Sequence, residues 1–208
     1  MNHMEFFAQL KAGGIHGAYL FEGPEEYIKA SALTAAEKAL LPAGLEQLNE
    51  TRLENPATDA LIAAAETLPF MADKRLVVVR ELAALTGRGE GDERLVDYIG
   101  KIPDTTVLIF YVQGKVDARK KLAAAIKKQG TVVSFQPLED AALNSWIVRT
   151  AKGLGKVISV GDASYLSFTV GNNAATLKGE LEKLAALTGE RTEITRQDID
   201  AVCTRSME

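Results

Sequence analysis

Gly23 and Lys29 are the first residues in this chain whose types and spacing could do chemistry. In Gly23-Pro24-Glu25-Glu26-Tyr27-Ile28-Lys29-Ala30 they hold the first-glycine and lysine positions of a phosphate-binding loop, G-x-x-x-x-G-K-[ST]. The rest of the pattern departs. Ile28 replaces the second glycine, and Ala30 replaces the hydroxyl that would hold Mg²⁺. Glu25 and Glu26 put two carboxylates where bare N–H groups should meet an anion, and they would repel a triphosphate. What remains is a degenerate nucleotide loop, Gly23 with Lys29, and an ordinary strand-to-helix turn accounts for it as well. The partner requirement also fails, because an NTPase needs an acid at the end of a neighbouring strand to hold Mg²⁺ and orient water. Residues 76–79 end in Arg80-Glu81, and residues 106–112 end in Gln113-Gly114-Lys115. Glu81 reads as a relic of such an acid or as a surface residue.

Other catalytic arrangements are missing. His3 and His16 are the only histidines and are expected in solvent; with a single cysteine, Cys203, they make no metal-ligand cluster. No G-x-S-x-G elbow occurs. The chain is expected to have no activity, cofactor or metal of its own; a P-loop NTPase with an atypical loop is the alternative.

Two clusters could instead bind partners. Residues 67–79 (TLPFMADKRLVVV) run from an Ala-rich helix into a buried strand, and between them sit Leu68, Pro69, Phe70 and Met71. That is more apolar surface than a connecting turn usually carries. These residues either cap the core beneath the helix end or form a protruding plug for a pocket on a partner. The second cluster is basic: Lys115, Arg119, Lys120, Lys121, Lys127 and Lys128 concentrate on the helix after residues 106–112. A solvated helix face is one reading and contact with DNA backbone phosphates is the other. Without interleaved aromatics, stacking on single strands is disfavoured.

The elements that must position these residues follow from periodicity. Helices are expected over residues 4–12, 27–41, 58–67, 93–99 and 120–129. Strands are expected over 18–21, 46–53, 76–79, 106–112 and 131–135, with 81–90 as loop. Gly13-Gly14, Pro42, Pro69 and Gly130 punctuate the helices. Strands alternating with helices imply right-handed crossovers and a three-layer α/β domain with a parallel sheet. After Pro137 the signals turn helical, over 141–153, 162–169, 174–187 and 196–204. Asp162 is read as an N-cap, and Thr195 with Asp198 as a weak capping box. The expected organisation is an α/β domain over residues 1–139 and a small all-α domain over 140–208. Trp146 is read as a packing residue.

Composition excludes some classes. With 47% apolar and 25% charged residues the chain reads as a soluble globular protein. Its net charge of −4 gives no general push toward nucleic acid, and the one cysteine excludes an internal disulfide. No apolar run approaches the roughly eighteen residues of a membrane span. A cytoplasmic protein with no membrane contact is expected.

Three segments, YLFEGPEEY, TLPFMADKRLVVVREL and DTTVLIFYVQGKVDARKKLAAAIKKQGTVVSF, resemble in order the delta subunit of the bacterial DNA polymerase III clamp loader. GNNAATLKGELEKLAAL with ITRQDIDAV is similar to that family's helical second domain. The resemblance implies an AAA+-like fold that does not hydrolyse ATP, in keeping with the degenerate loop. It implies a subunit that opens the sliding clamp (beta) by inserting a Leu and a Phe, here Leu68 and Phe70 with Pro69 and Met71 beside them. Pro69 separates the pair, which some members carry adjacent. Other loader subunits are implied partners in the full-length protein, with DNA met only weakly or within the assembled loader. Family members continue into a collar domain. This sequence stops at Glu208, so the collar and stable loader assembly are expected to be missing while clamp binding remains.

Overall fold

Three of the five strands in the first half of the chain carry long apolar runs, and those runs are buried on both faces. The computed structural model describes residues 1–87, 89, 91–138 and 140–203, and they divide into two compact units, Met1–Gln136 and Pro137–Glu208. In the first unit the elements run α1 (His3–Lys11), β1 (Gly17–Glu22), α2 (Glu26–Leu40), α3 (Glu46–Asn49), β2 (Glu50–Glu54), α4 (Thr58–Glu66) and β3 (Arg75–Arg80). They continue through α5 (Ala83–Thr86), α6 (Glu93–Tyr98), a 3₁₀ turn (Ile99–Lys101), β4 (Thr106–Tyr111), α7 (Lys121–Gln129) and β5 (Thr131–Ser134).

All five strands are parallel, in the order β2-β3-β4-β1-β5. Strand alternation divides the core. Ala18, Leu20, Val77, Val79, Leu108 and Phe110 pack with Leu61, Ala65, Leu95 and Leu122 of α4, α6 and α7. The opposite set carries Tyr19 and Phe21, whose rings lie 5.8 and 5.0 Å from Phe6 of α1. This is the three-layer α/β arrangement that the sequence predicts. β4, buried at every position, sits between β3 and β1, where burial on both faces demands an uninterrupted apolar run.

Several local readings are corrected. Residues 46–53 are not one strand. A helical turn precedes β2 and is closed by Asn49, whose side-chain amide donates to the Leu45 carbonyl at 3.1 Å. Within the expected loop 81–90, α5 forms where the Ala83 N–H donates to Asn55 Oδ1 at 2.9 Å, and Gly87 ends it at φ +79°; residues 88 and 90 lie outside the described set. His3 is buried rather than solvated, because it shares the inward face of α1 with Phe6 and Leu10.

The second unit holds α8 (Asp140–Gly153), β6 (Val157–Ile158), α9 (Val160–Val170), α10 (Ala174–Thr188), β7 (Glu193–Ile194) and α11 (Arg196–Val202). Leu166, Leu177, Leu181, Leu184 and Ile199 are fully buried and form its interior. To the expected helices the structure adds the two-residue parallel pair β6-β7. Asp162 is not the cap of α9. Ser159 is, its hydroxyl accepting from the Asp162 N–H at 3.0 Å, so the helix starts earlier than its apolar periodicity does. Residue 204 of the last expected helix lies outside the described set.

The capping arrangement at Thr195 and Asp198 has a consequence for acid stability. Asp198 accepts from the Thr195 N–H at 2.8 Å and from both Arg191 guanidinium nitrogens at 3.0 and 2.6 Å. Arg191 above all, then the Thr195 amide, holds this carboxyl well below the usual carboxylate range. A depressed folded-state pKa gives stability that is present above the unfolded value, about pH 4, and is lost as pH falls through the folded value. Asp198→Asn is therefore expected to cost about 1 kcal/mol at neutral pH. It should also flatten the loss of thermal stability below about pH 4, measured by unfolding the variant and the parent across that range.

Candidate functional site

Helix α4 stops at Glu66 because Pro69 follows, and the Thr67 hydroxyl donates back to the Ala63 carbonyl at 2.8 Å. The chain then turns outward before entering β3. On this turn Leu68 is 75% exposed, Phe70 53% and Met71 79%, with Pro69 half-buried. Of the two readings open from sequence, a cap on the core is the one these exposures disfavour. The turn thus presents three large apolar side chains together to solvent.

The backbone of the turn is held by specific hydrogen bonds while its large side chains face solvent. Asn49 is fully buried at the end of α3, and its amide grips Phe70 on both polar atoms. Phe70 N–H donates to Asn49 Oδ1 at 2.6 Å, and Asn49 Nδ2 donates to the Phe70 carbonyl at 2.9 Å. Met71 follows at φ +50°, a left-handed conformation that side-chain-bearing residues seldom adopt. Behind the turn, buried Arg75 donates to the Ala64 and Leu48 carbonyls at 3.2 and 3.3 Å and to the Thr51 hydroxyl at 2.6 Å. It thereby ties α4 to α3 and β2. Sequence reasoning missed both Asn49 and Arg75. A lone Asn in EQLN carries no periodic signal, and its role depends on a residue twenty-one positions away.

The loop before α2 is closed by its own residues. Lys29 is fully buried, and its ammonium donates to the carbonyls of Gly23 and Val112 at 2.8 and 2.7 Å. The same nitrogen lies 2.6 Å from Glu26 Oε1, and Glu26 Oε2 accepts from the Tyr111 hydroxyl at 3.0 Å. Burial, then Glu26, pushes the Tyr111 phenol well above its usual range. Burial likewise raises the Glu25 carboxyl, against the opposing pull of the Ile28 and Tyr27 amides. Gly23, at φ +115°, is required by packing rather than by phosphate: a Cβ there would stand 2.2 Å from the Phe135 carbonyl oxygen. Glu81 also has an internal role, accepting from the Gln113 N–H at 2.7 Å. The groups that would hold a nucleotide are thus used to join the C-terminal ends of β1, β3 and β4.

The basic cluster is smaller in effect than its sequence density. Lys115, Arg119 and Lys120 precede α7 rather than lying on it. Arg119 pairs with Asp117 at 2.9 Å and Lys121 with Glu93 at 2.6 Å, while Lys120 donates to the Gly89 carbonyl at 3.0 Å. Lys115, Lys127 and Lys128 are exposed and form no ion pair among the described residues.

A parallel sheet in this order, with a phosphate-loop position between β1 and α2 and a helical unit following, defines an AAA+-like protein, here with its loop closed. Low-identity structures agree on that fold. The Thermotoga maritima RuvB Holliday junction branch migration motor superposes with a TM-score of 0.55 at 11% identity, over 96% of this chain and 65% of that one. Domain III of the Thermotoga maritima replication initiation protein DnaA gives 0.53 at 10% identity, over 96% and 88%. The family model for DNA polymerase III, delta subunit, matches residues 19–136, and the chain belongs to that family. It is 29% identical over 213 aligned positions to the Bacillus subtilis DNA polymerase III subunit delta, across 98% of this chain and 61% of the relative. The structure of the Bacillus subtilis DNA clamp loader delta protein matches with a TM-score of 0.78 at 28% identity, over 98% of this chain and 63% of that one. The chain thus spans less than two thirds of the length of these relatives.

Proposed function

We propose that this chain is the clamp-engaging part of a DNA polymerase III clamp loader and acts by binding rather than by catalysis. Leu68, Pro69, Phe70 and Met71 form a plug that enters an apolar pocket on the sliding clamp. Burying each large side chain stabilises the complex by about 1.5–3 kcal/mol. That energy is available to hold one clamp interface in a distorted, open form. The observation that carries this reading is the exposure of Leu68, Phe70 and Met71 at 75, 53 and 79% on a turn whose backbone is fixed. Membership of the delta family supports the choice of the clamp as partner. The α/β domain, residues 1–139, carries the plug, residues 140–208 are the helical, lid-type second domain, and assembly with other loader subunits belongs to the longer protein. No helix among the described residues is long and apolar enough to cross a membrane.

The test is a titration of the chain against immobilised clamp from the same source. Saturable binding of one chain per clamp interface is expected; none at about 100 μM, the range of nonspecific association, would overturn the proposal.

DNA contact is secondary here. Lys115, Lys127 and Lys128 meet backbone phosphates within the assembled loader, where other subunits hold DNA against them. The isolated chain is expected to bind duplex weakly, and Lys127→Gln with Lys128→Gln should lower the slope of log K against log salt by about 2. Fluorescence anisotropy across a salt series measures it, and sequence-selective binding by the free chain would contradict it.

A further inference from the structure

We infer that Asn49 is a positioning residue for the plug, holding the Phe70 backbone in its presenting conformation before any partner arrives. The inference rests on the clamp-binding reading above and adds to it a residue that does not touch the partner. Asn49 is fully buried, on a short helix far from the plug in sequence, and both heteroatoms of its amide are engaged. Oδ1 faces the Phe70 N–H and Nδ2 faces both the Phe70 and Leu45 carbonyls, so the chemistry at each end fixes the orientation of the amide. The contact to the Phe70 N–H, at 2.6 Å, is the shorter of the two to that residue. No other side chain type makes the same pair of bonds at this reach: Asp cannot donate, Ser and Thr are too short, and Gln carries an extra methylene into a closed space.

The conformation held this way is not one the turn would adopt unaided. Met71 sits at φ +50°, directly after the gripped residue. Pro69 precedes it and restricts Leu68 to extended backbone. Release of the Asn49 bonds leaves Phe70 N–H and C=O to solvent and lets Met71 return to ordinary φ, which redirects the exposed side chains. A plug that must first find its shape binds more weakly, because ordering of the loop then opposes association. Asn49 therefore acts on the population of the binding-competent turn and not on the contact itself.

Asn49→Ala and Asn49→Asp in the full chain test this, beside Leu68→Ala/Phe70→Ala and the triple variant. Hydrogen exchange on the free protein reads the first step: the Phe70 amide is protected in the parent and loses protection in Asn49→Ala, and in Asn49→Asp as well, because an acceptor then faces the Phe70 and Leu45 carbonyls where Nδ2 had donated. An unprotected Phe70 amide in the parent overturns the inference without reference to the clamp. Clamp titration reads the second: Asn49→Ala weakens binding about 10-fold or more per folded molecule, as expected when a loop must be ordered on association. In the triple variant Asn49→Ala adds nothing further, because there is no anchor left to orient. Parental affinity in Asn49→Ala, alongside lost affinity in Leu68→Ala/Phe70→Ala, overturns the positioning role and leaves the plug standing. Full affinity in Leu68→Ala/Phe70→Ala removes the plug itself.

Discussion

Replacing Leu68 and Phe70 together with alanine is expected to weaken clamp binding about a thousandfold while the protein still folds. The two halves of this result have separate physical causes. Central apolar anchors that fill a partner's pocket cost about 2 kcal/mol or more each on truncation, so the pair should lose roughly 4 kcal/mol, about a thousandfold in affinity. Stability has little to lose, because Leu68 is 75% exposed and Phe70 53% in the free chain. Truncating exposed side chains changes stability by about 0.5 kcal/mol in either direction. The Asn49 bonds go to the Phe70 backbone and survive the substitution. A core-capping role predicts the opposite: a protein that melts early but binds normally per folded molecule. Thermal unfolding beside clamp titration for the double variant separates the two, and a collapse of stability with unchanged affinity would sink the plug.

The contrast between Phe70 and Asn49 also marks what the sequence could reveal. Leu68, Pro69, Phe70 and Met71 stood out because four apolar residues between a helix and a strand violate the expected polarity of a turn, a local signal. The central strands were equally legible, since β3 and β4 are buried on both faces and read as unbroken apolar runs. Asn49 gave no such signal: a polar residue buried by a bond to a distant backbone looks like any surface Asn. His3 misled for a related reason, its type suggesting solvent although its spacing from Phe6 and Leu10 placed it on the inward face. The basic cluster was read from density alone, and the acids that neutralise part of it include Glu93, well separated in sequence from its partner Lys121. Charge runs are visible in a sequence; the pairs that quench them are a property of the fold.

Lys29 gives the sharpest test of what became of the phosphate loop. Lys29→Met is expected to lower stability by about 2–4 kcal/mol, read from chemical denaturation, with no nucleotide binding in either protein. Removing the ammonium leaves the Gly23 and Val112 carbonyls without a donor they now share, at about 1–3 kcal/mol for such buried groups. It also strips Glu26 of its nearest cation. That contribution is discounted, because the Glu26 side chain is 43% exposed and water screens it. Tyr111 still donates to Glu26, which limits the damage further. A loop lysine reserved for phosphate predicts a different pair of results. Its ammonium would have no internal carbonyls to satisfy, so Lys29→Met would leave stability unchanged and remove a Mg²⁺-dependent ATP site present in the parent. Calorimetric titration of both proteins with MgATP decides the matter together with the denaturation curves. ATP binding by the parent, lost in a variant of undiminished stability, would restore Lys29 to nucleotide chemistry. A destabilised variant and a silent titration would leave it as the buried cation that fastens β1 to β4.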